Sequence, residues 1–220
     1  MAASQPRPLR QVRERELVLA TRALFDARGM QVAPIEEIAR AVGIARGLVY
    51  RHFSSKEELY VLTVTDYLAE LEQLLGEAIA GAENHVGRLA RWAEAYARFC
   101  RRYPAFLDCA LSLMHRPATD LHDLVSESVW LRLGQGMAGC VQHVATILRE
   151  GDEAGAFTVA DPDLMANVLW TQTLGAMHLA RIGVGLRQLA PGIPDLFRVA
   201  PEQVVEACVA SALATVGARR

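Results

Sequence analysis

Apolar positions recur at three- and four-residue intervals along nearly the whole chain, the period of an α-helix with one buried face. Leu17, Ala20, Thr21, Leu24 and Phe25 share such a face and predict a helix over 10–28, closed by Gly29. Ile35, Ile38, Ala39 and Val42 predict a short second helix, with Pro34 suited to its first turn and Gly43 breaking it. A third short helix is predicted over 45–53. Ser55-Lys56-Glu57-Glu58 has the residue order of a capping box and opens a long helix that ends at Gly81. Five further helices are predicted over 86–103, 105–115, 120–150, 161–183 and 201–216. The Pro/Gly-rich stretch through Pro191, Gly192 and Pro194 predicts an irregular connection, and no stretch predicts a strand. The expectation is an all-α protein of about nine helices. Residues 1–9 form an arm, 10–55 a three-helix domain, 56–81 a connecting helix and 82–220 a larger helical bundle.

The chain has 220 residues, 52% of them hydrophobic and 22% charged, which excludes a disordered polypeptide. The net charge of −2 conceals an asymmetry. Residues 1–62 carry 10 basic and 7 acidic side chains, and the remainder 13 and 18. The basic excess in the first part hints at an anionic partner there. Met1–Leu9 has no apolar run, and no stretch is long and apolar enough to span a membrane, so the expected location is cytoplasmic, with no membrane partner. Cys100, Cys109, Cys140 and Cys208 sit singly on apolar helical stretches and are expected to be buried free thiols.

Signals for catalysis are missing. There is no Gly-rich phosphate loop, no GxSxG elbow and no HExxH. The pairs Glu36-Glu37 and Glu57-Glu58 fall at helix N-termini, where negative charge offsets the dipole. His115, Asp120, His122 and Asp123 are near one another in sequence, but no histidine pair has the i, i+4 spacing of a helical metal site. The expectation is neither an enzyme nor a metal or cofactor protein.

The informative stretch is Pro34 to Phe53, PIEEIARAVGIARGLVYRHF. Two short helices separated by Val42-Gly43-Ile44 have the spacing of a helix-turn-helix. Ile38, Ala39, Ile44 and Val49 can pack inward, Ala39 being small enough for close helix approach. Gly43 can take the positive φ of the turn. Ala45, Arg46, Leu48, Tyr50 and Arg51 are then exposed. Ala45 and Gly47 leave the N-terminal end thin enough to enter a major groove about 12 Å wide.

The joint pattern of Ile38, Ala39, Gly43, Ile44, Gly47, Tyr50, His52, Phe53, Lys56, Leu59 and Tyr60 resembles the TetR family of bacterial transcriptional regulators over residues 10–70. The resemblance implies an N-terminal helix-turn-helix DNA-binding domain, a C-terminal ligand-binding and dimerisation domain, and a homodimeric repressor on a palindromic double-stranded operator. It places Tyr50, His52 and Lys56 against phosphates, and Arg46 with its neighbours Ala45, Gly47, Leu48 and Arg51 near base edges. Phe53 is read as core. Arg46 has the geometry for a bidentate pair with guanine, and Leu48 can touch a thymine methyl. Pro34 stands where the family commonly has a capping Thr, and Ala45 where Ser or Thr commonly caps the recognition helix. Each missing cap costs about 1 kcal/mol. The alternative reading is a helical small-molecule-binding protein with a vestigial DNA module.

For the C-terminal part the resemblance implies a small-molecule effector. Trp92, Tyr96, Phe99, Phe106, Met114, Met137, Trp170 and Met177 are candidates to line its pocket, and His115, His143, Thr173 and His178 to supply polar groups. The composition favours an apolar or aromatic ligand. Leu164, Val168, Thr171 and Gly175 on one helix, with Val204, Cys208 and Ala212 on the last, are candidates for a two-fold four-helix dimer interface. Small residues such as Ala207, Ala210 and Ala214 would permit close approach. A dimer would set two recognition helices roughly 34–36 Å apart, one turn of DNA.

Overall fold

A computed structural model describes residues 7–29, 34–115 and 122–218. Most of the predicted arm and the candidate ligand Asp120 lie outside these residues. Among the described residues are nine helices: α1 (Arg7–Arg28), α2 (Ile35–Ala41), α3 (Arg46–Val49), α4 (Lys56–Ala80), α5 (His85–Arg102), α6 (Pro104–Met114), α7 (Glu127–Glu153), α8 (Pro162–Ile182) and α9 (Pro201–Thr215). The all-α expectation is met except in one place. Between α8 and α9 the chain forms an antiparallel hairpin, β1 (Val184–Ala190) and β2 (Ile193–Arg198).

The hairpin corrects the predicted irregular connection, and its physical basis is local. Gly183 ends α8 in the left-handed conformation (φ +73), and Pro201 cannot be reached by continuing a helix. The intervening apolar residues keep a helical spacing, but Pro191 and Pro194 bar a continuous helix through them. At the tip, Pro191-Gly192 has the residue order of a type II turn, and Gly192 takes φ +79. Leu186 pairs with Leu196 across the strands, and Arg187 pairs with Asp195, Nε to Oδ2 at 2.7 Å. A register shift falls between Gln188 and Ala190.

Helix limits follow identifiable signals. Gly29, at φ +84, closes α1 by donating its N–H to Phe25 O at 2.7 Å. Asn84 Oδ1 caps α5 by accepting from Gly87 N, and Asp161 Oδ1 caps α8 by accepting from Leu164 N. The helix predicted over 120–150 begins later, at Glu127, because Ser126 O accepts the N–H groups of Val129 and Trp130 and opens the first turn.

The chain divides into two compact units: residues 1–69 with 108–136, and 70–107 with 137–220. In the first, Leu17, Phe25, Ile38, Val49, Phe53, Leu59 and Tyr67 are buried. Arg22 donates to Asp66 at 2.7 Å and lies 4.2 Å over the Tyr67 ring, while Tyr67 Oη donates to Asp26 Oδ1. Burial and the Asp26 contact push the Tyr67 hydroxyl well above the usual tyrosine range. These bonds join α1 to α4 and hold the frame from which α2 and α3 project. In the second unit α5, α8 and α9 pack together around Trp92, Tyr96, Phe99, Leu169, Leu174 and Val205. All four cysteines are buried free thiols, and burial raises them, Cys109 and Cys140 to about 12.

Candidate nucleic-acid interface

The turn between α2 and α3 forms as the spacing requires. Gly43 takes φ +70, and Ile44 N donates to Ala39 O at 2.9 Å. Ile35, Ile38, Ala39 and Val49 are buried on the inner side. The helix proper is only four residues long. It continues as turns, with Arg51 N donating to Leu48 O, and His52 N and Phe53 N to Val49 O. Phe53 then anchors the end in the core.

The opposite side is open. Ala45, Arg46, Gly47, Leu48, Tyr50 and Arg51 are exposed, and Lys56 is exposed at the first residue of α4. One short element therefore displays two arginines, a tyrosine and an apolar tip, with a lysine in the first turn of the next helix. The arginines, tyrosine and lysine suit a phosphodiester backbone flanked by base edges, although the Glu58 N–H in the first turn of α4 is taken by Ser55 Oγ. Pro34 and Ala45 stand at the N-caps of α2 and α3 in extended conformation, and neither end has a side-chain cap. The backbone supplies the entry geometry that a Thr or Ser would otherwise reinforce.

Two of the predicted contact residues are engaged within the chain. Arg46 Nη1 lies 2.6 Å from Glu36 Oε1 on the first turn of α2. The His52 side chain is only 10% exposed, and its Nδ1 is buried without a hydrogen-bond partner among the described residues, 3.9 Å from Glu14 Oε1. His52 therefore reaches outward much less than Tyr50 or Lys56.

The sequence marks Glu58 only as a cap. Its amide N–H does donate to Ser55 Oγ, as the capping box requires. Its carboxylate, however, accepts from Ser54 N rather than from Ser55 N, and also from Ser126 Oγ. Burial alone would raise this carboxyl. The bonds from Ser126 and Ser54 outweigh that effect and hold it below the ordinary carboxylate value. Ser55 Oγ also donates to Leu124 O at 2.8 Å, so the segment before α7 is tied to the start of α4. Beside it, Arg10, Tyr50, Arg51, His52, Ser128 and Arg132 border a polar cleft of about 460 Å³. Ser126, Ser128 and Arg132 carry no local motif, and only tertiary folding brings them to the helix-turn-helix.

The pocket candidates separate. Trp92, Tyr96 and Trp170 come together, with Tyr96 and Trp170 stacked at 4.2 Å and Trp92 tilted 5.7 Å from Tyr96. Phe99 and Phe106 meet edge to face, and Thr173 and Met177 are also buried. Trp92 Nε1 and Tyr96 Oη are buried without hydrogen-bond partners among the described residues. Met114, His115, Met137 and His178 are exposed instead, and His143 is half-buried. The dimer candidates separate too. Leu164, Val168, Thr171 and Gly175 are exposed along one side of α8. Val204, Cys208 and Ala212 are turned into the chain's own core, and Ala207, Ala210 and Ala214 occupy the exposed side of α9. No group of three or more potential metal ligands occurs among the described residues, and no helix there is long and apolar enough to cross a membrane.

Fold and interface together define a helix-turn-helix protein with a separate helical unit. Residues 17–62 match the family model of bacterial regulatory proteins of the tetR family, and over this N-terminal stretch the chain is similar to that family. The HTH-type transcriptional activator FasR of Mycolicibacterium smegmatis is 31% identical over 90 residues, 41% of either chain. The HTH-type transcriptional repressor KstR2 of the same organism is 26% identical over 165 residues, 72% of either chain. The chain thus spans about two fifths of the first of these relatives and nearly three quarters of the second. A solved structure of RolR in complex with resorcinol superposes with a TM-score of 0.66 at 18% identity, covering 97% of this chain and 92% of the other. At that identity the match speaks for the fold.

Proposed function

We propose that the protein is a homodimeric transcriptional regulator that binds a palindromic operator through α3 and the start of α4, and is controlled by a small apolar or aromatic effector. The observation that carries this reading is the one-sidedness of the helix-turn-helix. Ile35, Ile38, Ala39 and Val49 are buried, while Arg46, Tyr50, Arg51 and Lys56 are exposed. The mild charge of this region means that affinity rests on a few placed contacts and on doubling them in a dimer, not on a strong general field. The sequence relatives include both an activator and a repressor, and the effector acts here by releasing the protein from DNA.

The effector is assigned to the second unit, beside Trp92, Tyr96 and Trp170. An indole N–H and a phenol hydroxyl buried without partners each carry a desolvation cost of about 1–3 kcal/mol, which a ligand with a polar substituent relieves. Because α4 runs through both units, its displacement is the simplest route from effector to DNA.

Selection of bound duplexes from a random pool, followed by titration over a salt series, tests the reading. A two-fold symmetric consensus bound with steep salt dependence supports it. No symmetric consensus, or binding indifferent to sequence, overturns it. Small aromatic compounds that quench tryptophan fluorescence and lower operator affinity support the effector assignment. Quenching that is unchanged in Trp92→Phe and Tyr96→Phe removes it.

A further inference from the structure

We infer that the β1–β2 hairpin is an intermolecular arm, which in the dimer lies against a second copy of this chain. The inference rests on the dimeric reading above and extends the contact surface beyond the helices. Its starting point is an anomaly of burial. Val184, Leu186, Leu189, Ile193, Leu196 and Phe197 are all exposed, with Leu186 at 72%, Leu189 at 66% and Leu196 at 65%. They occupy both faces of a two-stranded sheet.

A hairpin of this kind does not persist alone in water. Two strands bury too little surface, and both are edges with unpaired backbone groups. Its two ends are joined to each other by Val199 N donating to Gly183 O at 3.0 Å, at the root of the hairpin. Within the hairpin Phe197 folds over Gly185, where a Cβ would stand 2.5 Å from the ring. That contact covers one side of one residue and leaves the leucines in the open.

Three observations select a second copy as the occupant. First, the apolar surface is continuous with that of α8. Leu164, Val168, Leu179 and Ile182 are exposed along one side of that helix, and Val184 follows directly in β1. The helix side assigned to the two-fold contact therefore runs into the strand without a charged break other than Arg181. Second, the size is right. Together the exposed apolar side chains of α8 and the hairpin offer on the order of 900 Å² per chain, beside about 800 Å² per partner in a standard interface. Third, the charges disfavour a lipid surface, which calls for free basic residues around the apolar patch. Arg187 is paired with Asp195 inside the hairpin, and Arg198, the other basic residue of the two strands, lies at the root opposite Val184, so a single arginine would have to serve the whole patch.

The experiment is sedimentation equilibrium on the full chain over a wide concentration range. It compares the wild type with Leu186→Glu/Leu196→Glu, with a variant in which residues 185–197 are replaced by Gly-Gly, and with Val168→Arg on α8. Both leucines face solvent in the single chain, so their glutamates leave the fold intact, as circular dichroism and the dilute-solution melting curve will register. The expected result is a dimeric wild type whose dissociation constant rises about 100-fold or more in both hairpin variants. A dimer lost in Val168→Arg but unmoved by either hairpin variant overturns the arm and leaves the helical interface standing. A wild type that is monomeric throughout overturns the dimeric reading and the arm with it.

Discussion

The guanidinium of Arg46 is held 2.6 Å from the carboxylate of Glu36, so the arginine best placed for base contact is paired across the helix-turn-helix in the free protein. Both side chains are largely exposed, and such a pair contributes about 0–1 kcal/mol. It therefore costs little to open, and a guanine edge competes with it readily. Glu36→Gln frees Arg46 and removes a negative charge from the DNA-facing side. Operator affinity, measured by electrophoretic shift at fixed salt, is expected to rise several-fold. Arg46→Ala is expected to lower operator affinity about 10- to 100-fold while leaving non-specific binding nearly unchanged. Equal losses on operator and random DNA would remove Arg46 from base reading.

Lys56 is the chain's single lysine, and it stands in the first turn of α4. Lys56→Ala is expected to weaken binding to all duplexes alike and to reduce the magnitude of the log K against log salt slope by about 1 per protomer. A slope identical to that of the wild type would show that Lys56 does not touch phosphate.

Glu58 gives the helix-turn-helix a pH-dependent anchor. Its folded pKa lies below the ordinary carboxylate value, so the stabilisation is fully present above the unfolded value of about 4.5. It is lost as the pH falls through the lower, folded value. Glu58→Ala removes the acceptor of the Ser54 amide and of the Ser126 hydroxyl, which keeps only its longer contact with Ser128, a loss of about 1–3 kcal/mol at neutral pH. The difference in melting temperature between wild type and variant is expected to be largest near pH 7 and to shrink below pH 4.5. A difference that is constant with pH would exclude the charged form as the source.

Gly151 tests packing against propensity. In a helix, Gly→Ala ordinarily gains about 1 kcal/mol. Here a Cβ would stand 2.2 Å from the buried Phe157 ring, which is packed directly over the last turns of α7. Overpacking costs typically about 1–3 kcal/mol, so Gly151→Ala is expected to destabilise the protein on balance. A raised denaturation midpoint would show that Phe157 moves aside freely.

The helices were legible because their information is local. Gly29, Gly43, Asn84 and Asp161 each act on the backbone within a turn of themselves, and the structure places the helix limits within a few residues of them, except before α7. There the first turn is set by Ser126, a residue with no special neighbours in the sequence. The hairpin is not legible from periodicity, because Leu186, Leu189, Ile193 and Leu196 keep a helical spacing, and only Pro191-Gly192 between them carries a turn signal.

The interface residues divide in the same way. Helical spacing predicted that Tyr50 and Arg51 are exposed, as they are, whereas Lys56 was pointed to by the family resemblance and not by spacing. Spacing could not show that Arg46 meets Glu36, that His52 is withdrawn toward Glu14, or that Ser126 reaches Glu58 from 68 residues away. It also put Val204, Cys208 and Ala212 among the dimer candidates, whereas their side of α9 is consumed by the chain's own core. By itself the sequence determined the helical elements and the helix-turn-helix, since these depend on periodicity, caps and turns acting over a few residues. Only the tertiary structure decided which apolar faces remain open and which charges are already paired, because burial and ion pairing are properties of segments distant in the chain that meet only when it folds.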